Sequence, residues 1–213
     1  MKNLKLGFLA TLSLALLSCG GGGAPGTQDF GTVYITTSIS KPKIDADIVN
    51  YVLNTTTNQC ELYIPMDTNE QQTVSFTVSP KPNLPQNVQP SSVVISDLRI
   101  SYTPAIGTLD SCFNNIAQPT TIFSVPPNNN SYSLNLSVIN QGVKDCLLNK
   151  YGILPSQCPS SVMFSFPSGS STYIVYATLS FKATEANTGI SKNMTINLGT
   201  YELGDFTTST TNP

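Results

Sequence analysis

The chain reveals its fold most clearly in residues 173–198, which read YIVYATLSFKATEANTGISKNMTINL. In the first half, apolar or small side chains occupy every second position: Tyr173, Val175, Ala177, Leu179, Phe181 and Ala183. Alternation with a period of two is typical of a β-strand that buries one face. Turn residues follow at positions 185–189, and a second apolar series returns at Ile190, Met194, Ile196 and Leu198. The segment therefore predicts a long β-hairpin with a glycine-containing loop.

The apolar phase of the second strand slips at Gly199. Leu198 and Tyr201 lie three positions apart, whereas strict alternation would place the next inward side chain two positions after Leu198. A slip of this kind at a glycine predicts a β-bulge or a change of sheet.

The same alternation recurs upstream, in short segments separated by turn residues. The predicted inward positions are Val33, Ile35, Thr37 and Ile39; Val74, Phe76 and Val78; Val94, Leu98, Ile100 and Tyr102; and Tyr132, Leu134, Leu136 and Val138. Residues 122–125 indicate a brief edge strand. About seven short strands with turns between them predict an all-β, antiparallel β-sandwich over residues 32–206.

One helix is predicted within this β-rich pattern. Val143, Leu147, Leu148 and Tyr151 have the spacing of one helical face, and Gly152 is the expected end of the helix. We expect it to close an open end of the core, in preference to a binding role.

The closing hairpin and the succession of strands resemble immunoglobulin-like and fibronectin-like domains of bacterial surfaces. The resemblance covers the strand pattern of roughly residues 32–204 and implies an immunoglobulin-like sandwich. The chain contains no Trp, so the tryptophan that marks the immunoglobulin core is missing.

The N-terminus has the three parts of a secretory signal. Lys2 and Lys5 precede an apolar stretch at residues 6–17, which is short for a bilayer span. The run Leu16-Leu17-Ser18-Cys19 resembles the lipobox of bacterial lipoproteins, which implies cleavage after residue 18 and acylation of Cys19. We expect a cleaved signal at residues 1–18, a flexible glycine-rich tether at 19–31 and a disordered tail at 207–213. A simple cleaved signal is the alternative.

Four cysteines remain beside Cys19: Cys60, Cys112, Cys146 and Cys158. An even number in an exported chain predicts two disulfides. We favour Cys146–Cys158, which closes a short loop, and therefore Cys60–Cys112. A zinc site of four thiolates is the alternative, but no Cys-x-x-Cys pair is present to begin one.

Composition excludes several classes of function. Charged residues make up 10% of the chain, against about 25% in an average domain, and the formal net charge is −2. The Lys and Arg residues form no basic stripe, so nucleic acid is not an expected partner. The chain contains no His, which excludes Ser-His-Asp and Cys-His catalysis, imidazole-dependent zinc sites and haem attachment through Cys-x-x-Cys-His.

The acidic residues suggest no catalytic or metal site. Asp29, Asp45 and Asp47 follow no calcium-loop register, so we interpret them as solvated loop acids. A glycosidase needs only two carboxylates, but the acids are dispersed and no pair stands out. We expect no enzyme, no metal and no cofactor.

Exposed aromatic rings are what a carbohydrate-binding module requires. Tyr34, Tyr63, Tyr176 and Tyr201 are the candidates, although a half-buried Tyr is ordinary in a sheet.

The sequence as a whole predicts a lipid-anchored outer-membrane protein that faces either the periplasm or the cell surface. Its expected function is structural or interactive. The expected partners are the membrane through its lipid, an envelope protein or surface polymer, and its own copies through an exposed sheet edge. A carbohydrate-binding module is the alternative, and a carboxylate glycosidase is the third reading. The lipobox-like run, the glycine-rich tether and the strand from Val94 to Pro104 resemble uncharacterised bacterial surface lipoproteins, which implies a location and no activity.

Overall fold

The structure is a computed structural model that describes residues 26–46, 50–54, 56–57, 59–63, 71–153, 163–164, 166 and 172–204. Its strands and its helix, in chain order, are β1 Gly26–Asp29, β2 Val33–Ile39, β3 Lys43–Ala46, β4 Asn50–Asn54, β5 Gln59–Tyr63, β6 Gln72–Pro80, β7 Val93–Pro104, β8 Phe123–Val125, β9 Ser131–Leu136, α1 Gln141–Tyr151, β10 Gly152–Ile153, β11 Met163–Phe164, β12 Tyr173–Glu185 and β13 Ser191–Leu203. A 3₁₀ helix spans Ser111–Asn115.

Two sheets form the sandwich. The four-stranded sheet has the order β1-β2-β6-β9, and the five-stranded sheet has the order β3-β13-β12-β7-β8. Two small antiparallel pairs, β4–β5 and β10–β11, lie outside these sheets. The predicted all-β sandwich with one short helix is confirmed.

The chain changes sheets between β2 and β3. β2 pairs with β6 in one sheet, whereas β3 runs parallel to β13 in the other. The sequence predicts a purely antiparallel sandwich, but the pairing of β3 with β13 is parallel. A short strand that changes sheets in this way ties the start of the domain to its last strand.

Phe76 of β6 is central to the core between the sheets. Its ring is fully buried and packs edge-on against Phe123 of β8 at 5.3 Å and Phe181 of β12 at 5.4 Å between centroids. Burial of one such ring contributes about 1.5–3 kcal/mol, and edge-to-face geometry adds to it. The inward positions predicted for β12 from Val175 to Ala183 are all buried.

The hairpin of β12 and β13 and its bulge confirm the prediction from residues 173–201. The register between the strands shifts near Gly199, which has a φ of 100°. A Cβ at this position would lie 2.6 Å from the carbonyl oxygen of Pro42, and that oxygen accepts a hydrogen bond from Thr200 N at 3.0 Å. Glycine is required here for two reasons: its φ is positive, and the connection from β2 to β3 passes too close to leave room for a Cβ.

The predicted phase of β7 is wrong at its beginning. Val93 and Ile95 are buried, whereas Val94, which the pattern had grouped with Leu98, is only half-buried. Asp97 has a φ of 55°, and the register with β12 shifts opposite it. This bulge inserts one residue and turns the first half of the strand over.

The predicted tether of residues 19–31 is wrong for its last part. Residues 26–29 form β1, which pairs with β2, and the Phe30 side chain is buried. α1 confirms the predicted helix, and its Val143 and Leu147 are buried in the core. In the part of the chain that the structure describes, no helix is long and apolar enough to cross a membrane. The predicted signal, Cys19 and the predicted tail lie outside the described residues.

Candidate functional site

A cleft of about 670 Å³ lies at the end of the sandwich where β7 ends and β12 begins. Small-molecule sites in proteins are typically about 300–1,000 Å³. Its lining comes from the loop after β7, the end of α1, Phe166 and the first residues of β12. We call it the end cleft. The charged, aromatic and large apolar side chains of its lining include Ile106, Asp110, Lys150, Tyr151, Phe166 and Tyr173.

A disulfide fixes the helical side of this end. Cys112 of the 3₁₀ helix is bonded to Cys146 of α1, with the two Cα atoms 5.5 Å apart. The favoured pairing of Cys60 with Cys112 and of Cys146 with Cys158 is therefore wrong. The bond joins two elements that are distant in sequence but adjacent at this end, so it holds α1 beside the loop that forms the cleft.

The carboxylate of Asp110 connects the walls of the cleft. It caps the 3₁₀ helix by accepting a hydrogen bond from Cys112 N at 2.9 Å. It also accepts hydrogen bonds from the Lys150 ammonium, at 2.9 Å, and from the Tyr151 hydroxyl. Its own backbone N–H donates to the Tyr173 hydroxyl at 3.1 Å. One residue thus joins the loop, the end of α1 and the start of β12.

The charges of Asp110 and Lys150 balance each other. Burial raises the pKa of Asp110, but the hydrogen bonds from Cys112 N, Tyr151 and Lys150 outweigh burial and leave the pKa below its ordinary value. The hydrogen bond to Asp110 raises the pKa of Lys150. At neutral pH the pair is an ammonium and a carboxylate with no net charge.

Aromatic rings pack in a continuous series at this end, and three of them, Tyr151, Phe166 and Tyr173, line the cleft. Tyr151 packs on Phe166 at 5.1 Å, Phe166 on Tyr173 at 5.5 Å, and Tyr173 on Phe113 at 5.9 Å between centroids. Burial raises the pKa of both Tyr151 and Tyr173, so their hydroxyls stay protonated in neutral solution. Ile106, 81% exposed, extends the apolar surface at the rim.

This arrangement is suited to binding an uncharged ligand that has both an apolar face and hydroxyl groups. Rings provide flat apolar contact area. The phenol hydroxyls and the neutralised pair provide donors and acceptors without net charge. The described residues hold no group of three or more His, Cys, Asp or Glu side chains that could hold a metal ion.

The tyrosines named from the sequence do not form one row. Tyr34 lies on the four-stranded sheet, with the Lys81 ammonium 5.5 Å from its ring centroid. Tyr176 is 45% exposed on the five-stranded sheet, and Tyr201, expected at an outward or edge position, is fully buried. The Tyr63 side chain lies outside the described residues.

The acids named from the sequence are also separated. Asp29 lies on β1 and pairs with Lys81, whereas Asp45 lies on β3 of the other sheet. Asp110 and Glu185, two carboxylates that accept several hydrogen bonds, lie at opposite ends of β12, about 40 Å apart at the rise of a β-strand. That distance is far beyond the spacing of glycosidase carboxylates. Asp47 and Cys158 lie outside the described residues, and Cys60 is described only as part of β5.

The sequence reading missed the residues of the end cleft. Asp110 has a recognisable signal, because an Asp directly before the first residue of a helix is a typical N-cap. The sequence pattern predicts Tyr173 only as an inward strand residue, and Lys150 has no signal beyond its position within the predicted helix. Their meeting depends on the placement of α1, which no local pattern specifies.

Comparison with protein-family models, with curated proteins and with solved structures gives no match for this chain.

Proposed function

We propose that this protein is a lipid-anchored, non-catalytic binding protein of the cell envelope, and that the end cleft is its ligand-binding site. One observation carries the binding role: the cleft combines a wall of aromatic rings with the charge-balanced Asp110–Lys150 pair. The envelope location is supported by the lipobox-like run that ends at Cys19.

The ligand that fits this chemistry is a neutral sugar unit of a surface polymer. Pyranose rings have an apolar face that packs on aromatic rings such as those of Tyr151 and Tyr173, which line the cleft and are partly exposed. Their equatorial hydroxyls bond to phenols and carboxylates. A charged ligand would have to compete with an ion pair already satisfied within the protein. This proposal moves the carbohydrate alternative from the sheet faces to the end cleft.

The location is tested by labelling. Cells that express the full chain are grown with a radiolabelled or alkyne-tagged fatty acid, and the protein is recovered from their envelope. We expect label on the wild type and none on Cys19→Ala, which cannot accept the lipid. A wild type without label would overturn the lipid anchor without affecting the binding site. Digestion of intact cells by a protease that does not penetrate them then distinguishes a surface orientation from a periplasmic one.

The binding site is tested with a matched pair of substitutions. The full chain is applied to an array of neutral and acidic oligosaccharides, and the neutral glycans bound are then titrated by calorimetry. Ile106→Asp, at the rim of the cleft, should weaken binding about fivefold or more, because each lost apolar contact and each added charge costs of the order of 1 kcal/mol.

Ile122→Asp is the control, because Ile122 is 69% exposed and does not line the end cleft. It should leave the affinity unchanged. Equal affinity of both variants and the wild type would mean that the glycan binds elsewhere. A preference of the wild type for acidic glycans alone would contradict the ligand class.

A further inference from the structure

In the part of the chain that the structure describes, the two sheets have four edge strands, and three of them carry features that block pairing. β1 has four residues and an ion pair between Asp29 and Lys81. β3 has four residues, two of them charged, and β8 has only three residues before Pro126. Short strands, charges and prolines are the usual means by which proteins prevent edge-to-edge association.

Beyond β8, the exposed edge of β7 is blocked by a side chain. The Gln118 carboxamide accepts a hydrogen bond from Ile100 N at 2.7 Å and donates one to Ile100 O at 3.1 Å. These are the two bonds that a neighbouring strand would make, so the amide occupies the place of a strand residue.

β9 is different. Its six residues, Ser131–Leu136, include no charge and no proline. On one side it pairs with β6, and among the described residues no strand pairs with its other side. The outward side chains are Ser131, Ser133 and Asn135, which are exposed and bonded to hydroxyls of β6. Among the four described edge strands of the two sheets, β9 is therefore the one that carries no such feature.

We infer that two copies of this chain associate through β9, pairing antiparallel to form one continuous eight-stranded sheet. The strand is complementary to itself in the register centred on Ser133. With Ser133 of each copy opposite Ser133 of the other, Ser131 lies opposite Asn135 and Tyr132 lies opposite Leu134. Residues opposite each other in an antiparallel pair point to the same face, so polar meets polar and apolar meets apolar.

This register covers apolar surface that the single chain leaves accessible. Tyr132 is 36% exposed and stacks on Phe123 with centroids 4.2 Å apart. Leu134 is half-buried and lines a second cavity of about 220 Å³ together with Ile100 and Leu136. Pairing places the Tyr132 ring of one copy against Leu134 of the other, and a twofold interface makes this contact twice. A second copy supplies both the backbone edge and the side chains that match it.

Cross-linking in the envelope tests the register. Ser133→Cys is introduced into the full chain, and envelopes are treated with a mild oxidant and separated on a non-reducing gel. Opposite Cα atoms in an antiparallel pair are about 4.5–5.5 Å apart, within the range of a disulfide. We expect a dimer band from Ser133→Cys. Ser75→Cys is the matched control: it lies beside Ser133 on β6, and its two copies would be about 14 Å apart. It should give no disulfide-linked dimer band, like the wild type.

Sedimentation of the full chain in detergent tests the interface independently. The wild type should dimerise with rising concentration, and Ser133→Lys should be monomeric, because two ammonium groups would face each other across the twofold axis. Ser75→Lys should remain dimeric. A wild type that stays monomeric, a dimer that survives Ser133→Lys, or a Ser133→Cys cross-link to a different protein would each overturn the inference.

Discussion

The two ends of the sandwich each have a carboxylate on or beside β12, and they use it differently. At one end, Glu185 is fully buried. It accepts hydrogen bonds from Gly31 N and Thr32 N, both at 2.8 Å, and from the hydroxyls of Thr32 and Thr188. All of these donors are neutral. They tie the chain before β2 and the loop after β12 to one point.

At the other end, the side chain of Asp110 is 9% exposed and is paired with a cation. Its donors belong to residues that line or adjoin a cleft, and the Tyr151 and Tyr173 hydroxyls take part in the same network. The comparison shows how one kind of side chain can serve two purposes. A carboxylate satisfied entirely by neutral buried donors closes an end, whereas one that balances a cation beside aromatic rings leaves a surface fit for a ligand.

The largest predicted effect is at the closed end. Glu185→Ala leaves two backbone N–H groups and two hydroxyls without their acceptor, and each unsatisfied buried group costs about 1–3 kcal/mol. We expect the free energy of unfolding to fall by about 3–5 kcal/mol in urea denaturation. Glu202→Ala is the control, because the ion pair of Glu202 with Lys43 is partly exposed. It should cost at most about 1 kcal/mol. A similar loss in both variants would contradict the special role of Glu185.

The disulfide beside the end cleft should have the next largest effect. The Cys112–Cys146 bond closes a loop with a sequence separation of 34 residues. Replacing both residues by Ala should lower the free energy of unfolding by about 2–4 kcal/mol, since the unfolded chain regains entropy. Peptide mapping under non-reducing conditions should show Cys112 joined to Cys146, which leaves Cys60 and Cys158 as the pair for the second predicted disulfide. A peptide joining Cys146 to Cys158 would contradict the structure.

A third prediction concerns the space around Gly31. A Cβ there would lie 2.7 Å from the Glu185 carboxylate and 3.0 Å from Thr188 Cγ2. Gly31→Ala should therefore destabilise the protein by about 1–3 kcal/mol, because the fully bonded carboxylate cannot move aside without losing donors. At Gly26 a Cβ would lie 3.7 Å from the Thr37 hydroxyl, an ordinary contact. Gly26→Ala should leave the thermal midpoint nearly unchanged, and an equal shift in both would show that the closed end is loosely packed.

The smallest predicted effect is a pH dependence that distinguishes the ends. Burial raises the pKa of Glu185, but hydrogen bonds from Thr188, Thr32 and Gly31 outweigh it and leave the pKa below the ordinary 4.5. The pKa of Asp110 likewise lies below its ordinary 3.8. Because each folded pKa is depressed, each carboxylate stabilises the fold above its ordinary pKa. That stabilisation is lost as pH falls through the folded value.

Urea midpoints measured from pH 7 down to pH 2 check this dependence. The advantage of the wild type over Glu185→Gln and over Asp110→Asn should shrink as the solution is acidified. The Asp110→Asn difference should be the smaller, about 1 kcal/mol at neutral pH, because Lys150 is partly exposed to solvent. An advantage that grew on acidification would mean that the folded pKa values of these carboxylates are raised, which contradicts their hydrogen bonding in the structure.

The parts of the fold that the sequence predicted are those with a local cause. The β12–β13 hairpin follows from period-two alternation over long strands, and the bulge follows from a slip at Gly199. The phase of the start of β7 was missed, because Asp97 adopts a positive φ that the pattern of neighbouring residues does not reveal.

The end cleft and the cysteine pairing depend on how distant elements meet. A short loop is the cheaper one to close, which favoured Cys146–Cys158, but α1 carries Cys146 to within bonding distance of the 3₁₀ helix. The same placement brings Lys150 and Tyr151 to Asp110. The cleft is therefore a product of tertiary packing, and within it only the N-cap role of Asp110 has a local sequence signal.

The pairing of β1 with β2 has a mechanical consequence. Gly26 pairs with Thr37 at the open end of this ladder, and Asp29 pairs with Tyr34 near the turn. A pull on the chain before Gly26 therefore peels β1 away one residue pair at a time, at low force, and releases about 13 Å of extended chain. The load then reaches Gly31 and Thr32, where the Glu185 bonds must break together. The domain thus has a compliant segment, β1, in series with a stiff one, the residues bonded to Glu185. The compliant segment extends under a pulling force before the core is loaded.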